Sequence, residues 1–421
     1  MQLPRDLVVG GILPLLPTRC LARSVCRAAA AALPARPDRV EPLRGDAVRW
    51  AVERGGLLEH GGKATRDLAA AGLLRELQQA VAAGCRMDAW TCARAAQGGH
   101  LEVLRWLRSA GCPWDECACA SAAGGGDLDL NWGLEPGLDW GARTRSGGHL
   151  DVLKWLRSEG CPWDWRTCAW AARGGLLEVL QWLYEEGCPW DWSTCANAAR
   201  GGHLEILKWL RSAGCPWDHR ACAQAAEGGK AEVLKWLRSE GCPWDRETVC
   251  AHAAVGGHLE VLRWLRSEGC AWGMNTCNWA AGRGHLDIII WARAEGCPWD
   301  RHTCISAAHS GHLDTLKWAH EAGCPWDEGV CTWAAHDGHL DTLKWARAAG
   351  CPWDLRECFR KAMYCGHLET LKWLFGRFEP GDDPWDDLTC RIAYMQDIRS
   401  GYPDVAKWLV GVLPLGGVPL P

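Results

Sequence analysis

Phenylalanine is almost missing from this chain: 3 residues in 421, against 30 tryptophans and 25 cysteines. An ordinary globular core of mixed aromatic and aliphatic side chains is a poor fit to that balance. A basic excess is missing as well. The formal net charge is −5, which excludes the electropositive footprint of a nucleic-acid-binding domain. No run approaches the roughly 18 apolar residues that a membrane span needs. The opening "MQLPRDLVVGGILPLLPTRC" has Pro14 inside its apolar stretch and one arginine at its start, a poor secretory leader. Without an export signal, cysteines in a chain this long read as reduced thiols rather than a disulfide framework. The expected compartment is the cytoplasm or nucleus. Motifs that carry chemistry are lacking too: no G-x-S-x-G, no phosphate-binding loop, no His-Glu-x-x-His, no dinucleotide fingerprint. No enzyme activity, catalytic residue, metal or cofactor is expected.

What is present is repetition. A "GC" cysteine recurs at 85, 112, 161, 188, 215, 242, 270, 297, 324 and 351, in steps of 27 apart from one 28 and one 49. A strict period of this size means stacked units that pack on their neighbours. Each unit reads as two short helices. In "DWRTCAWAARGG", Asp164 is the N-cap and Gly174-Gly175 the stop. The Ala and Cys residues between them make a thin helix. In "HLDVLKWLRSEG", Leu150, Val152, Leu153, Trp155 and Leu156 give apolar surface on more than one side. Asp151 lies early and Lys154 and Arg157 late, the favourable order for the helix dipole. "CPWD" then turns the chain, because Pro162 cannot continue a helix. The fold class expected is an all-α solenoid with little or no β-structure. The 49-residue step reads as a full unit plus a compressed, distorted one at 124–148, where Gly124 to Gly126 and Pro136 disfavour helix.

The cysteines and histidines invite a zinc reading. Cys161 and Cys168 are seven apart, and His203 follows Cys195 by eight. Structural zinc takes cysteines two to four residues apart, paired with a second such knuckle, so core packing is the better account. The histidines His100, His149, His203, His258, His285, His312, His339 and His367 each open a second helix. Recurrence in eight units favours a hydrogen bond at the loop–helix junction over catalysis. Most tryptophans sit at fixed positions and read as packing groups. Two sets of positions vary between units: the residue after "WD" or "WG" (Trp165, Trp192, His219, Arg246, Met274, Arg301, Glu328), and the residue ending the first helix (Arg173, Arg200, Glu227, His309, His336). They are the candidate partner-binding face. Neutral drift on a solvated surface is the other reading.

The stretches "AAQGGHLEVLRWL" (95–107) and "AAVGGHLEVLRWL" (253–265), followed by "EGCPWD"-type turns, resemble ankyrin repeats over roughly residues 47–411. That resemblance implies a non-enzymatic module that binds proteins. The unit departs from the family's usual 33 residues by about six. The shortfall lies between "WD" and "TC", where the family carries a β-hairpin finger and a Thr-Pro-Leu-His motif, so clipped fingers are expected. Degenerate units at 47–63 and 64–88 open the array, and a capping unit at 384–411 precedes a tail, 412–421.

Residues 1–45 do not follow the repeat. Leu3-Pro4, Leu7, Ile12-Leu13, Leu16-Pro17, Leu21 and Val25 resemble the start of an F-box. In that family such helices dock on the adaptor subunit of a cullin–RING ubiquitin ligase, and a C-terminal repeat array holds the substrate. The stretch before "VCR" is about two residues short and Ala replaces the aromatic that usually follows. Two other readings stay open: a polar cap for the first repeats, and an organelle transit peptide, since five arginines face only Asp6 in residues 1–37. The protein is expected to be a monomer whose partners are proteins.

Overall fold

The computed structural model describes residues 61–124, 148–378, 404, 405 and 408, and among them every regular element is an α-helix. The chain divides into two compact units between Trp217 and Asp218. The first unit holds α1 (Gly61–Ala70), α2 (Leu74–Ala82), α3 (Ala89–Gln97), α4 (Leu101–Ser109), α5 (Glu116–Gly124), α6 (Leu150–Ser158), α7 (Trp165–Gly174), α8 (Leu177–Glu185), α9 (Trp192–Gly201) and α10 (Leu204–Ser212). The second holds α11 (His219–Glu227), α12 (Ala231–Ser239), α13 (Arg246–Val255), α14 (Leu259–Ser267), α15 (Met274–Gly282), α16 (Leu286–Ala294), α17 (Arg301–His309), α18 (Leu313–Glu321), α19 (Gly329–His336), α20 (Leu340–Ala348), α21 (Leu355–Tyr364) and α22 (Leu368–Phe375). Within each unit the odd helices stack in chain order, and each even helix packs on the odd helix before it. Each unit is therefore a helical-repeat solenoid. Among the described residues no helix is long and apolar enough to cross a membrane.

Local chemistry explains the pairs. The Asp164 carboxylate accepts from the Arg166 backbone N–H at 3.0 Å and starts α7. Cys168, Ala169, Ala171 and Ala172 are buried, and their small size lets α5 and α9 approach closely on either side. On α6, Val152, Leu153 and Leu156 are fully buried.

Two hydrogen-bond ladders join successive repeats. In the first, the Nε2–H groups of His100, His203, His285 and His339 donate to the carbonyls of Ala70, Arg173, Val255 and His309 at 3.0 to 3.1 Å. Each carbonyl belongs to the end of the preceding repeat's first helix, where it has no partner within the helix. The imidazole passes directly over a glycine: Gly257 has φ +77°, and a Cβ there would lie 2.6 Å from His285 Cε1. In the second ladder, the thiols of Cys112, Cys188, Cys215, Cys242, Cys324 and Cys351 donate to the carbonyls of Asp88, Asp164, Asp191, Asp218, Asp300 and Asp327 at 3.3 to 3.6 Å. Such bonds are weak, about 0.5 kcal/mol each, but they satisfy one carbonyl per turn.

The tryptophans form an outer ribbon rather than a buried core. Trp114, Trp163, Trp244 and Trp299 lie edge-on or tilted to Trp155, Trp182, Trp264 and Trp318, with ring centres 6.0 to 6.3 Å apart. Arg108 and Arg238 sit over Trp114 and Trp244 at 3.8 Å. Where this arginine is replaced, a flat ring takes its place: Tyr184 stacks on Trp190 at 4.6 Å and His320 on Trp326 at 3.8 Å. The expected packing role holds in part: Trp272, Trp291 and Trp299 pack against the buried Cys277, Ala292 and Cys297 without being fully buried themselves. The ribbon's rings are half-buried, with arginine or a stacked ring over a face and other aromatic rings meeting them edge-on or tilted.

The 49-residue step is described only at its two ends, and the expected distorted unit at 124–148 falls almost wholly outside the described residues. Helices α5 and α6 pack as one pair. The His149 backbone N–H donates to the Ala122 carbonyl at 2.9 Å, as the His203 backbone N–H does to Ala198 at 3.0 Å. The Cys161 thiol reaches the Asp115 carbonyl at 3.5 Å across 46 positions, where its siblings span 24. The extra residues thus enter between the two helices of a single repeat. Residues 125–147 themselves lie outside the described residues. At the start of the array, α1 and α2 form one pair; the expected unit at 47–63 lies almost wholly outside the described residues. Of the expected cap at 384–411, only Asp404, Val405 and Trp408 are described; the Trp408 ring meets Phe375 edge-on at 5.6 Å. The segments 1–45 and 412–421 lie outside the described residues.

The histidine ladder has two testable consequences. Gly269 has φ +75°, and a Cβ added there would meet nothing within 4 Å, so Gly269→Ala carries only left-handed strain, about 1 kcal/mol. Gly257→Ala adds a collision with His285 and costs roughly 2–3 kcal/mol or more in urea unfolding. Burial lowers the pKa of His258, His312 and His367 despite their bonds to backbone carbonyls. The unfolded chain therefore binds protons first, starting near pH 6.5, and stability present above that pH is lost as pH falls through the lowered folded values. Melting temperature is expected to drop between about pH 7.5 and pH 5.5; an unchanged value contradicts this.

Candidate functional site

In the first helices from α3 to α19 the cysteine and the Ala-Ala pair three and four residues later share the buried face. Helical geometry turns the positions two and five residues after the cysteine outward. Those outward positions hold the most varied side chains near the helix C-terminus. From α11 to α19 they are Gln224, His252, Trp279, Ser306 and Trp333 at the first position, and Glu227, Val255, Gly282, His309 and His336 at the second. Glu227 ends α11.

These residues touch one another. His252 Nδ1 meets Glu227 Oε2 at 3.0 Å, and the His252 ring stands edge-on to Trp279 at 5.5 Å. Further along the same unit, Trp333 lies between His309 and His336, with ring centres 5.0 and 5.1 Å away. Both imidazoles hydrogen-bond the Asp337 carboxylate, His336 at 2.9 Å. Trp279 and Trp333 are each 38% exposed, so this strip presents aromatic surface to solvent. In the first unit the corresponding positions hold Trp170, with Arg173 over its ring at 5.4 Å, then Asn197 and Arg200.

The residues expected to form one variable face occupy two rows. Arg173, Arg200, Glu227, His309 and His336 belong to the row just described. Trp165, Trp192, His219, Arg246, Met274, Arg301 and Glu328 are exposed at or beside the first turn of the same helices. Trp165 and Arg173 are eight positions apart, about 12 Å along a helix. Met274 is 55% exposed, whereas Arg301 is held by Asp327 at 3.0 Å. The F-box-like residues lie outside the described residues. Reasoning from the sequence missed Trp170, His252, Trp279, Trp333 and Asp337. A signal for most of them was present: the position two after the helix cysteine changes from unit to unit while the cysteine and alanines do not.

Residues 331–384 match the family model for ankyrin repeats (many copies). That stretch begins at Cys331 in α19 and contains Trp333, His336 and Asp337. No curated protein matches the chain. Among solved structures, the human ASB11 ankyrin repeat domain is similar at 18% identity and a TM-score of 0.34, covering 44% of this chain and 98% of that one. The repeat here is short, with its first helix entered directly from the "CPWD" turn and no strand among the described residues.

Cys277 and Cys358 offer little reactivity. Burial pushes Cys358 up to about 12, and the hydrogen bond to Cys297 together with burial holds Cys277 far above the usual thiol range. Both stay protonated at neutral pH, the inert form of the side chain.

Because Trp333 makes mainly edge contacts with His309 and His336, Trp333→Ala is expected to cost about 1 kcal/mol or less. Leu343→Ala, at a fully buried site in the same repeat, is expected to cost about 2–5 kcal/mol. Urea unfolding of the two variants checks the ordering; equal losses would make Trp333 a packing residue.

Proposed function

We propose that the chain is a non-enzymatic scaffold that binds a protein partner, with the strip from Glu227 to His336 in the second unit as its main contact surface. One observation supports the reading above others. Neighbouring Ala, Cys, Gly and His positions change less from repeat to repeat, while the exposed positions between them change to Trp, His, Glu and Asn. A repeat array that served only as a spacer would have no use for half-exposed tryptophans there, and Trp is a preferred anchor in protein interfaces. The first-turn row, with Trp165, Trp192 and Met274, is a secondary contact surface in this reading. The protein acts in the reducing cytoplasm or nucleus, in keeping with its buried free thiols.

A second reading adds a role for the N-terminal segment. The F-box-like residues Leu3, Pro4, Leu7, Ile12, Leu13, Leu16, Pro17, Leu21 and Val25 favour a substrate receptor of a cullin-type ubiquitin ligase, with the repeats holding the substrate. Affinity capture from native cytosol separates the readings. The Trp279→Ala/Trp333→Ala double variant is expected to lose partners that the parent chain retains, and unchanged capture contradicts the contact surface. Deletion of residues 1–45 is expected to lose the cullin adaptor alone if the receptor reading holds. Capture of no adaptor by the full chain leaves a plain scaffold.

A further inference from the structure

We propose that His309, His336 and Asp337 form a binding site for one borderline divalent transition-metal cation, of which zinc is the best match. The site arises from the repeat itself. His309 ends α17 and His336 ends α19, equivalent positions in consecutive repeats, so stacking of these helices brings the rings to centres 6.5 Å apart. Asp337 follows His336 and meets both. His336 Nδ1 faces Oδ1 at 2.9 Å and His309 Nδ1 faces Oδ2. The candidate ligand atoms of the three residues all lie within 4.8 Å of one another, and no other His, Cys, Asp or Glu group among the described residues converges in this way.

The donor set selects the ion. Two imidazoles and one carboxylate suit zinc, cobalt or nickel, whereas calcium and magnesium favour all-oxygen shells. Zinc sits about 2.0–2.2 Å from such ligands, so three of them around it stand roughly 3.4 Å apart. Small side-chain rotations reach that spacing, since the Asp337 carboxylate already lies between the rings. Charge points the same way. Among the described residues Asp337 forms ion pairs with these two histidines and with no lysine or arginine. With the histidines neutral, its charge is uncompensated, and a cation replacing the two N–H donors neutralises it. Three protein ligands on a partly exposed surface leave the remaining positions to water or to an incoming group. The site is independent of whether the surrounding surface holds a protein.

Cobalt(II) titration of the full-length chain tests the assignment. One equivalent is expected to bind, with a visible d–d spectrum of nitrogen and oxygen ligation, no thiolate charge-transfer band, and displacement by zinc. His309→Gln/His336→Gln is expected to weaken binding by more than about tenfold, and Asp337→Asn to weaken it as well, with circular dichroism confirming the fold. Unchanged affinity in the double variant overturns the proposal, as does a thiolate charge-transfer band, which would move the metal to cysteines. Should either variant misfold, zinc protection of His309 and His336 in the parent chain from diethyl pyrocarbonate, read by peptide mass, decides: protection supports the site and equal modification overturns it.

Discussion

The structure depends on an unpaired carbonyl at the end of each first helix. Left alone in a packed array, such a group carries a desolvation cost of about 1–3 kcal/mol. Where the next repeat opens on a bonded histidine, as at His100, His203 and His285, its Nε2–H removes that cost at 3.0 to 3.1 Å, and in doing so fixes the distance between those repeats. Much of the constant sequence follows. Glycine must underlie the ring because a Cβ would collide with it, the second helix must begin where the histidine sits, and the stacked first helices must be thin enough to permit the approach. The thiol ladder does the same work more weakly in the opposite turn.

This arrangement also explains where the chain can change. The side chains two and five positions after the helix cysteine take no part in the ladders, although the backbone carbonyl of the second does, and they carry the Trp, His and Glu groups of the candidate surface. The insertion after α5 is accommodated for the same reason. The ladder atoms flank the inserted segment, so the pair on either side keeps its packing. One rung is missing there: His149 Nε2 is buried without a hydrogen-bond partner among the described residues.

Much of the fold was legible because its signals are local or periodic. The recurrence of "GC", the Asp164-type caps and the glycine stops define helices and repeat length, and the histidines were readable as junction donors from their recurrence. Other features needed three dimensions. A step of 49 looks the same whether residues are added between units or within one, and only the reach of Cys161 to Asp115 distinguishes them. Tryptophan at a fixed position reads as core, yet here arginine or a stacked ring lies over a face and other rings meet it edge-on or tilted. The His309–Trp333–His336 cluster joins residues that are 27 apart in sequence, and Asp337 has no counterpart in other repeats to draw attention to it.

The central claim is that the histidine bonds couple neighbouring repeats. Hydrogen exchange of His285→Ala against the parent chain, followed by mass spectrometry, measures this directly. Loss of the bond to Val255 is expected to remove protection from α13 and α16 while α19 to α22 keep theirs. Unchanged protection throughout, or an equal loss in every helix of the second unit, would contradict the account.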